Sequence, residues 1–254
     1  MNAIKRTLRF TCVVLLFAGP LLVLPVYGQQ SSPAPTAEQE FLDAIKKGNA
    51  ARVTELLKKN PALIKASTKN GTTAVLLAVY ARHPEIAESL LATGVEPSIF
   101  EAAATGRVAR VQELVKQKPE LVKAYSPDGW TALHLNFGNL EIVKVLLDLG
   151  ADINAVSKNK LSATPLQGAA AMQNLELGRL LIQRRANVNC RGEEGGTPLH
   201  EVAGNGQIEF AKLLLDRGAN VNAKDDSGKT PLTIALDYKQ TEMAKLLRDR
   251  QGTQ

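Results

Sequence analysis

Cysteine is almost missing from this chain, which has 2 in 254 residues. Cys12 lies in an N-terminal segment read below as removed, which leaves only Cys190. A lone cysteine excludes an intrachain disulfide framework, so packing must hold the fold. Histidine is scarce as well: His83, His134 and His200 make up the 3 in the chain, far apart in sequence. One cysteine and scattered histidines do not give the close ligand pairs of a zinc site, and no metal or cofactor is expected. Aromatic residues reach only 4%, although 44% of the chain is apolar. The core must therefore be filled by Leu, Ile, Val and Ala, the filling of stacked helices. A dense basic block is also lacking; Lys and Arg are interspersed with Asp and Glu throughout, which argues against a nucleic-acid partner.

The N-terminus stands apart. Lys5, Arg6 and Arg9 precede an apolar run over residues 10–24, and Val26-Tyr27-Gly28 closes it with compact residues. This is the pattern of an export signal at residues 1–28, cleaved after Gly28. Pro20 and Pro25 interrupt the run, which is short for a membrane span of about 20 apolar residues. No lipid-attachment motif precedes Cys12. Removal of the three basic residues lowers the formal charge from +6 by three, to +3. Residues 29–37, rich in Gln, Ser and Pro, form a flexible leader. A periplasmic or secreted location follows, and a membrane contact only if the segment is retained.

What fills the rest is repetition, the feature to read first. Thr197-Pro198-Leu199-His200 has counterparts in Thr230-Pro231-Leu232-Thr233, Thr164-Pro165-Leu166-Gln167 and Thr131-Ala132-Leu133-His134. Each is followed by a second apolar stretch such as Leu140-Glu141-Ile142-Val143-Lys144-Val145-Leu146-Leu147. Three of these end in one kind of turn, seen in Gly150-Ala151-Asp152-Ile153-Asn154-Ala155, Arg185-Ala186-Asn187-Val188-Asn189-Cys190 and Gly218-Ala219-Asn220-Val221-Asn222-Ala223. Weaker copies open at Gly71-Thr72-Thr73-Ala74-Val75, and two others, near Leu56-Leu57 and Leu114-Val115, replace the turn by Asn60-Pro61-Ala62-Leu63 and Lys118-Pro119-Glu120-Leu121.

At these residues the sequence resembles the ankyrin-repeat family, over residues 38–250, with 251–254 as a tail. The resemblance implies an all-α fold: a solenoid of about seven stacked helix-turn-helix repeats joined by short β-turn fingers. Pro198 suits a first helical turn, Thr197 a cap, Gly218 the positive φ that ends a helix, and Asn220 and Asn222 the turn. Two departures stand out. Arg82 and Gly106 hold the same repeat position only 24 residues apart, against about 33 for this repeat type, so a finger is missing near Gly94. Between His134 and Gly138 the first helix lacks two residues and must be short or distorted, whereas the finger between Ala155 and Thr164 is two residues longer than its counterparts.

Chemistry is thinly represented. The resemblance gives His134 and His200 a framework role, hydrogen bonding between repeats, and His83 a local one. Cys190 occupies the place of Ala155 and Ala223, so it reads as a small buried residue. The glycines around Glu193 lack the Lys-Ser/Thr of a phosphate loop. The surface remains. By family analogy, fingertips and first-helix ends line a concave face, which places Thr72, Tyr80, Tyr125, Asp128, Trp130, Phe137, Met172, Arg191, Glu193, Asn205, Lys229 and Tyr238 toward a partner protein. Aromatics and Arg dominate such contacts. The resulting expectation is a non-enzymatic protein-binding scaffold or regulator, exported from a bacterial-type cell. A membrane-anchored envelope protein, and an enzyme with its site near His134, are the alternatives.

Overall fold

A computed structural model describes residues 35–136 and 138–253. The export segment, most of the leader, Phe137 and Gln254 lie outside the described residues. Thirteen α-helices and four short 3-10 turns account for the regular structure of the described residues, so the all-α expectation holds. The chain divides into two compact units, with the boundary between Glu96 and Pro97.

The first unit contains two helix pairs. They are α1 (Ala37–Lys46) with α2 (Ala50–Lys59) and α3 (Ala74–Tyr80) with α4 (Pro84–Leu91). Thr36 starts α1 with a reciprocal capping box to Gln39, which satisfies two backbone donors left open at a helix start. Phe41, Ile45, Ile86 and Leu90 are fully buried in its core. The Asn60-Pro61 stretch forms a 3-10 turn over Pro61–Lys65.

The second unit contains five repeats. Their first elements are α5 (Ile99–Ala104), a 3-10 turn over His134–Asn136, α8 (Pro165–Ala171), α10 (Pro198–Asn205) and α12 (Pro231–Asp237). The second elements are α6 (Val108–Gln117), α7 (Leu140–Asp148), α9 (Leu175–Gln183), α11 (Ile208–Asp216) and α13 (Thr241–Asp249). Leu133, Ile142, Leu166, Leu177, Leu199 and Phe210 lie in one continuous core. A single pair could not bury this face alone, and its neighbours complete it.

Fingers close with one recurring bond: Ser126 N–H to Trp130 O, Gly192 N–H to Gly196 O and Asp225 N–H to Lys229 O, at 2.7, 2.9 and 3.0 Å. In the finger after Ala155 the same bond runs from Ser157 N–H to Ala163 O, 2.9 Å, over two more residues. Neighbouring fingers are tied by one backbone bond each, Lys158 N–H to Gly129 O, Glu193 N–H to Leu161 O and Asp226 N–H to Glu194 O. Between α4 and α5 there is no finger: the chain passes through residues 92–97 to the Ser98 cap.

The shortened first helix is a single 3-10 turn, with Leu135 at φ −89° and ψ 20°. Asn136 is buried at 2% exposure. Its Nδ2 donates to Leu133 O at 2.7 Å and its Oδ1 accepts from Gly138 N–H at 2.8 Å. The side chain thus supplies backbone partners that two missing residues would have provided, since a buried polar group left unpaired is costly.

Candidate functional site

The groups that could do chemistry come first. Nδ1 of His200 accepts from the Thr197 amide at 3.1 Å and lies 2.9 Å from its hydroxyl; Nε2 donates to Lys229 O at 3.0 Å. His134 repeats this with Thr131 Oγ1 at 2.8 Å and Ala163 O at 2.9 Å. Gln167 does the same work with an amide: Oε1 accepts from Thr164 N–H and Nε2 donates to Gly196 O, both at 3.0 Å. Burial holds His134 down at about 4, and it lowers His200 as well, because an imidazolium loses hydration there. Both ring nitrogens of each histidine are committed between one repeat and the next.

His83 also has a framework place. A Cβ on Gly48 would stand 2.4 Å from its ring, and one on Gly106, Gly138 or Gly206 would stand 2.9, 2.7 or 2.4 Å from Asn139, Asn174 or Gln240. Cys190 is buried, with Sγ 3.1 Å from Thr164 Oγ1. Burial pushes its thiol pKa up, away from a reactive thiolate. Among the described residues, no group of three or more His, Cys, Asp or Glu side chains converges to hold a metal ion.

The surface candidates fall into separate places. In the first unit, Tyr80 is half-buried at the end of α3, and Thr72 is buried at 7% exposure. Thr72 is therefore corrected from a surface to an interior position, because its finger closes over it through the Thr68 N–H to Thr72 O bond. Phe137 is outside the described residues.

In the second unit, Trp130 is half-buried and packs tilted on the His134 ring, 5.3 Å between centroids. The Tyr125 hydroxyl donates to Val156 O at 3.0 Å, and Lys158 Nζ sits 4.1 Å above its ring. Arg191, at the equivalent finger position, donates to Lys224 O at 2.8 Å and pairs with Asp226 at 2.9 Å. Tyr125 and Arg191 thus hold the next finger and only partly face outward. Asp128 accepts from Ser126 Oγ inside its finger, and Glu193 is exposed at its fingertip. Met172 ends α8 half-buried against the core.

Asn205, Lys229 and Tyr238 come together around a residue that sequence reasoning missed, Glu201. Asn205 Nδ2 donates to Glu201 Oε1 at 3.0 Å. Lys229 Nζ pairs with Asp237. Burial raises Glu201 to about 7, opposed by the Asn205 bond. Burial, then the Glu201 charge, raises Tyr238. The i, i+4 spacing of Glu201 and Asn205 was the available signal. An ionised Glu201 costs the native state free energy, so stability from this group is present below pH 4.5 and is lost as pH rises through about 7. Glu201→Gln is expected to raise stability by ~1–2 kcal/mol at pH 8 and hardly at all at pH 4.5, read from urea midpoints.

Comparison with known proteins covers much of this second unit. A family model described as ankyrin repeats (3 copies) matches residues 166–254, and a single ankyrin-repeat model matches residues 128–158. Ankyrin repeat and SAM domain-containing protein 6 of Rattus norvegicus is 31% identical over 152 residues, 59% of this chain and 14% of that protein. NF-kappa-B inhibitor alpha of Homo sapiens is 38% identical over 99 residues, 33% of this chain and 31% of that protein. Notch-regulated ankyrin repeat-containing protein of Xenopus tropicalis is 33% identical over 82 residues, 30% of this chain and 72% of that protein. The chain thus spans about one seventh of the SAM-domain relative's length, 14%.

Proposed function

Because the chain belongs to the ankyrin-repeat family, we propose that it is a non-enzymatic scaffold or regulator that binds another protein through the fingers and first-helix ends of its repeats. One observation supports this most. His134 and His200, like Gln167, are each bonded at both ends between successive repeats, so these two histidines are spent on assembly. Glu193, Lys158 and the Asn205–Tyr238 cluster are left at the surface. A repeat fold presents such side chains at regular spacing, which suits recognition of an extended protein surface. One relative is named an inhibitor, a role that requires a bound target.

The reading includes action outside the cytoplasm. Its support is the run of Lys5, Arg6 and Arg9 followed by the apolar stretch at residues 10–24. No helix among the described residues is long and apolar enough to cross a membrane.

Affinity capture tests the binding. The wild-type protein is expected to retain a defined protein that a folded Trp130→Ala/Tyr238→Ala variant does not retain. Eluates that are empty, or identical for both, would remove the proposal. Export is tested by the N-terminus of the native protein: a chain starting near Gln29 outside the cytoplasm supports it, and a cytoplasmic chain retaining residues 1–28 overturns it.

A further inference from the structure

A groove lies between the 3-10 turn over Pro119–Lys123 with the residues after it and the loop that leads into the long finger. It is shallow, about 190 Å³, and is lined by Val122, Lys123, Tyr125, Thr131, Asp152 and Ala155. That is below the ~300–1,000 Å³ of small-molecule pockets, but it is the scale of a side chain from a docking protein. Val156 stands beside it at 46% exposure, an unusual position for a large apolar residue among the described ones. Tyr125 is fixed as one wall by its bond to Val156 O, with Lys158 over its ring.

Charge decides what fits. Lys123, Lys158 and Lys160 are exposed. None of the three makes an ion pair among the described residues, in contrast to Arg191, which pairs with Asp226. Residues 153–163 contain no acid. Asp152 is the one carboxylate lining the groove, and its Oδ1 is occupied by the Asn154 amide at 2.9 Å. Lysines without an ion pair beside the exposed Val156 leave a positive local potential that Asp152 alone offsets within the groove lining. A polyphosphate backbone would meet the lysines but leave Val156 uncovered.

We propose that the groove between Tyr125 and Val156 docks an acidic peptide segment of a partner protein, with an apolar side chain seated in the groove and its carboxylates on Lys123, Lys158 and Lys160. This rests on the protein-binding reading above and names the chemistry of the partner. The apolar side chain lies against Val156, the exposed apolar residue beside the groove, and that is the attraction insensitive to salt. The carboxylates supply orientation and on-rate, which salt screens.

The test titrates the full protein with a short synthetic peptide of alternating Glu and Leu, its Gln/Leu and Lys/Leu counterparts, and single-stranded oligothymidylate. Trp130, next to Thr131 of the groove, reports by fluorescence. The Glu/Leu peptide is expected to bind at low salt. Affinity should fall at least roughly tenfold in a Lys123→Glu/Lys158→Glu variant, and comparably in Val156→Asp. Lys245→Glu, a charge reversal on the exposed face of α13, is the folded control and should bind as wild type. Equal binding of the Lys/Leu peptide, or no effect of either groove variant, overturns the proposal. Groove-dependent binding of oligothymidylate as tight as the peptide also overturns it and assigns the lysines to phosphate. If a captured partner binds the groove variants unchanged, this inference fails while the broader function stands. If the peptide binds as expected and no partner is ever retained, the broader function fails instead.

Discussion

Gly178→Ala is expected to destabilise the protein by roughly 1–3 kcal/mol, the cost of overfilling a packed core. An exposed helix interior would give the opposite sign, a gain of about 1 kcal/mol from the better helix former. The reason lies in the next repeat. A Cβ at Gly178 would stand 2.0 Å from Cζ of Phe210, and the Phe210 ring is buried at 1% exposure with no room to turn aside. Val143 and Ala211 hold the position of Gly178 in two other repeats, and the repeats that follow them carry Leu177 and Met243 at the position of Phe210. The two residues are therefore matched in size. Phe210→Leu alone leaves a void and should cost about 1–3 kcal/mol, while the double variant should recover part of both losses. The coupling is read from urea midpoints of the four proteins. Additive losses would show that the ring moves freely and would refute the size match.

The second large effect is acid sensitivity. The folded value of His134 is about 4 against an ordinary 6.5, and His200 is lowered too. With a depressed folded value, the unfolded chain takes the proton first as pH falls. The stability these rings contribute is thus complete above pH 6.5 and is lost progressively toward pH 4. For His134 the loss is about 2–3 kcal/mol. Glu201 acts with the opposite sign over much of that range, so wild type alone understates the effect. His134→Gln/His200→Gln should keep the inter-repeat bonds, as Gln167 does with Thr164 and Gly196, and should lose distinctly less stability between pH 6.5 and 4.5. Gln167→His should lose more. Superimposable acid limbs in all three proteins would mean that the rings are not desolvated.

The same residues show why the sequence was readable where it was. The Thr-Pro-Leu-His motif is local chemistry with a fixed spacing, so helix starts, caps and inter-repeat bonds could be written down from Thr197, Pro198 and His200. The short helix after His134 and the long finger after Ala155 followed from counting residues. The finger missing near Gly94 did as well. Other features depend on what meets across repeats. Gly178 reads as a weak helix position until Phe210 is seen against it. Tyr125 and Arg191 read as free finger residues until Val156 O and Lys224 O are found at their polar ends. Glu201 looked like any solvated glutamate, because its environment comes from Asn205 on its own helix and Tyr238 in the next repeat. Thr72 was placed outside because its position in the motif says nothing about how its finger closes.

The two departures around His134 cancel each other. Thr131, Thr164, Thr197 and Thr230 each open a repeat and are spaced 33 residues apart throughout, even though one interval lacks two helix residues and gains two in its finger. Each interval ends at equivalent bonds: a threonine start, and a carbonyl taken by the preceding His or Gln at Ala163, Gly196 and Lys229. Residues 131–163 therefore form an exchangeable cassette, which carries Val156, Lys158 and Lys160 with the distorted helix, while Lys123 and Tyr125 stay with the repeat before it.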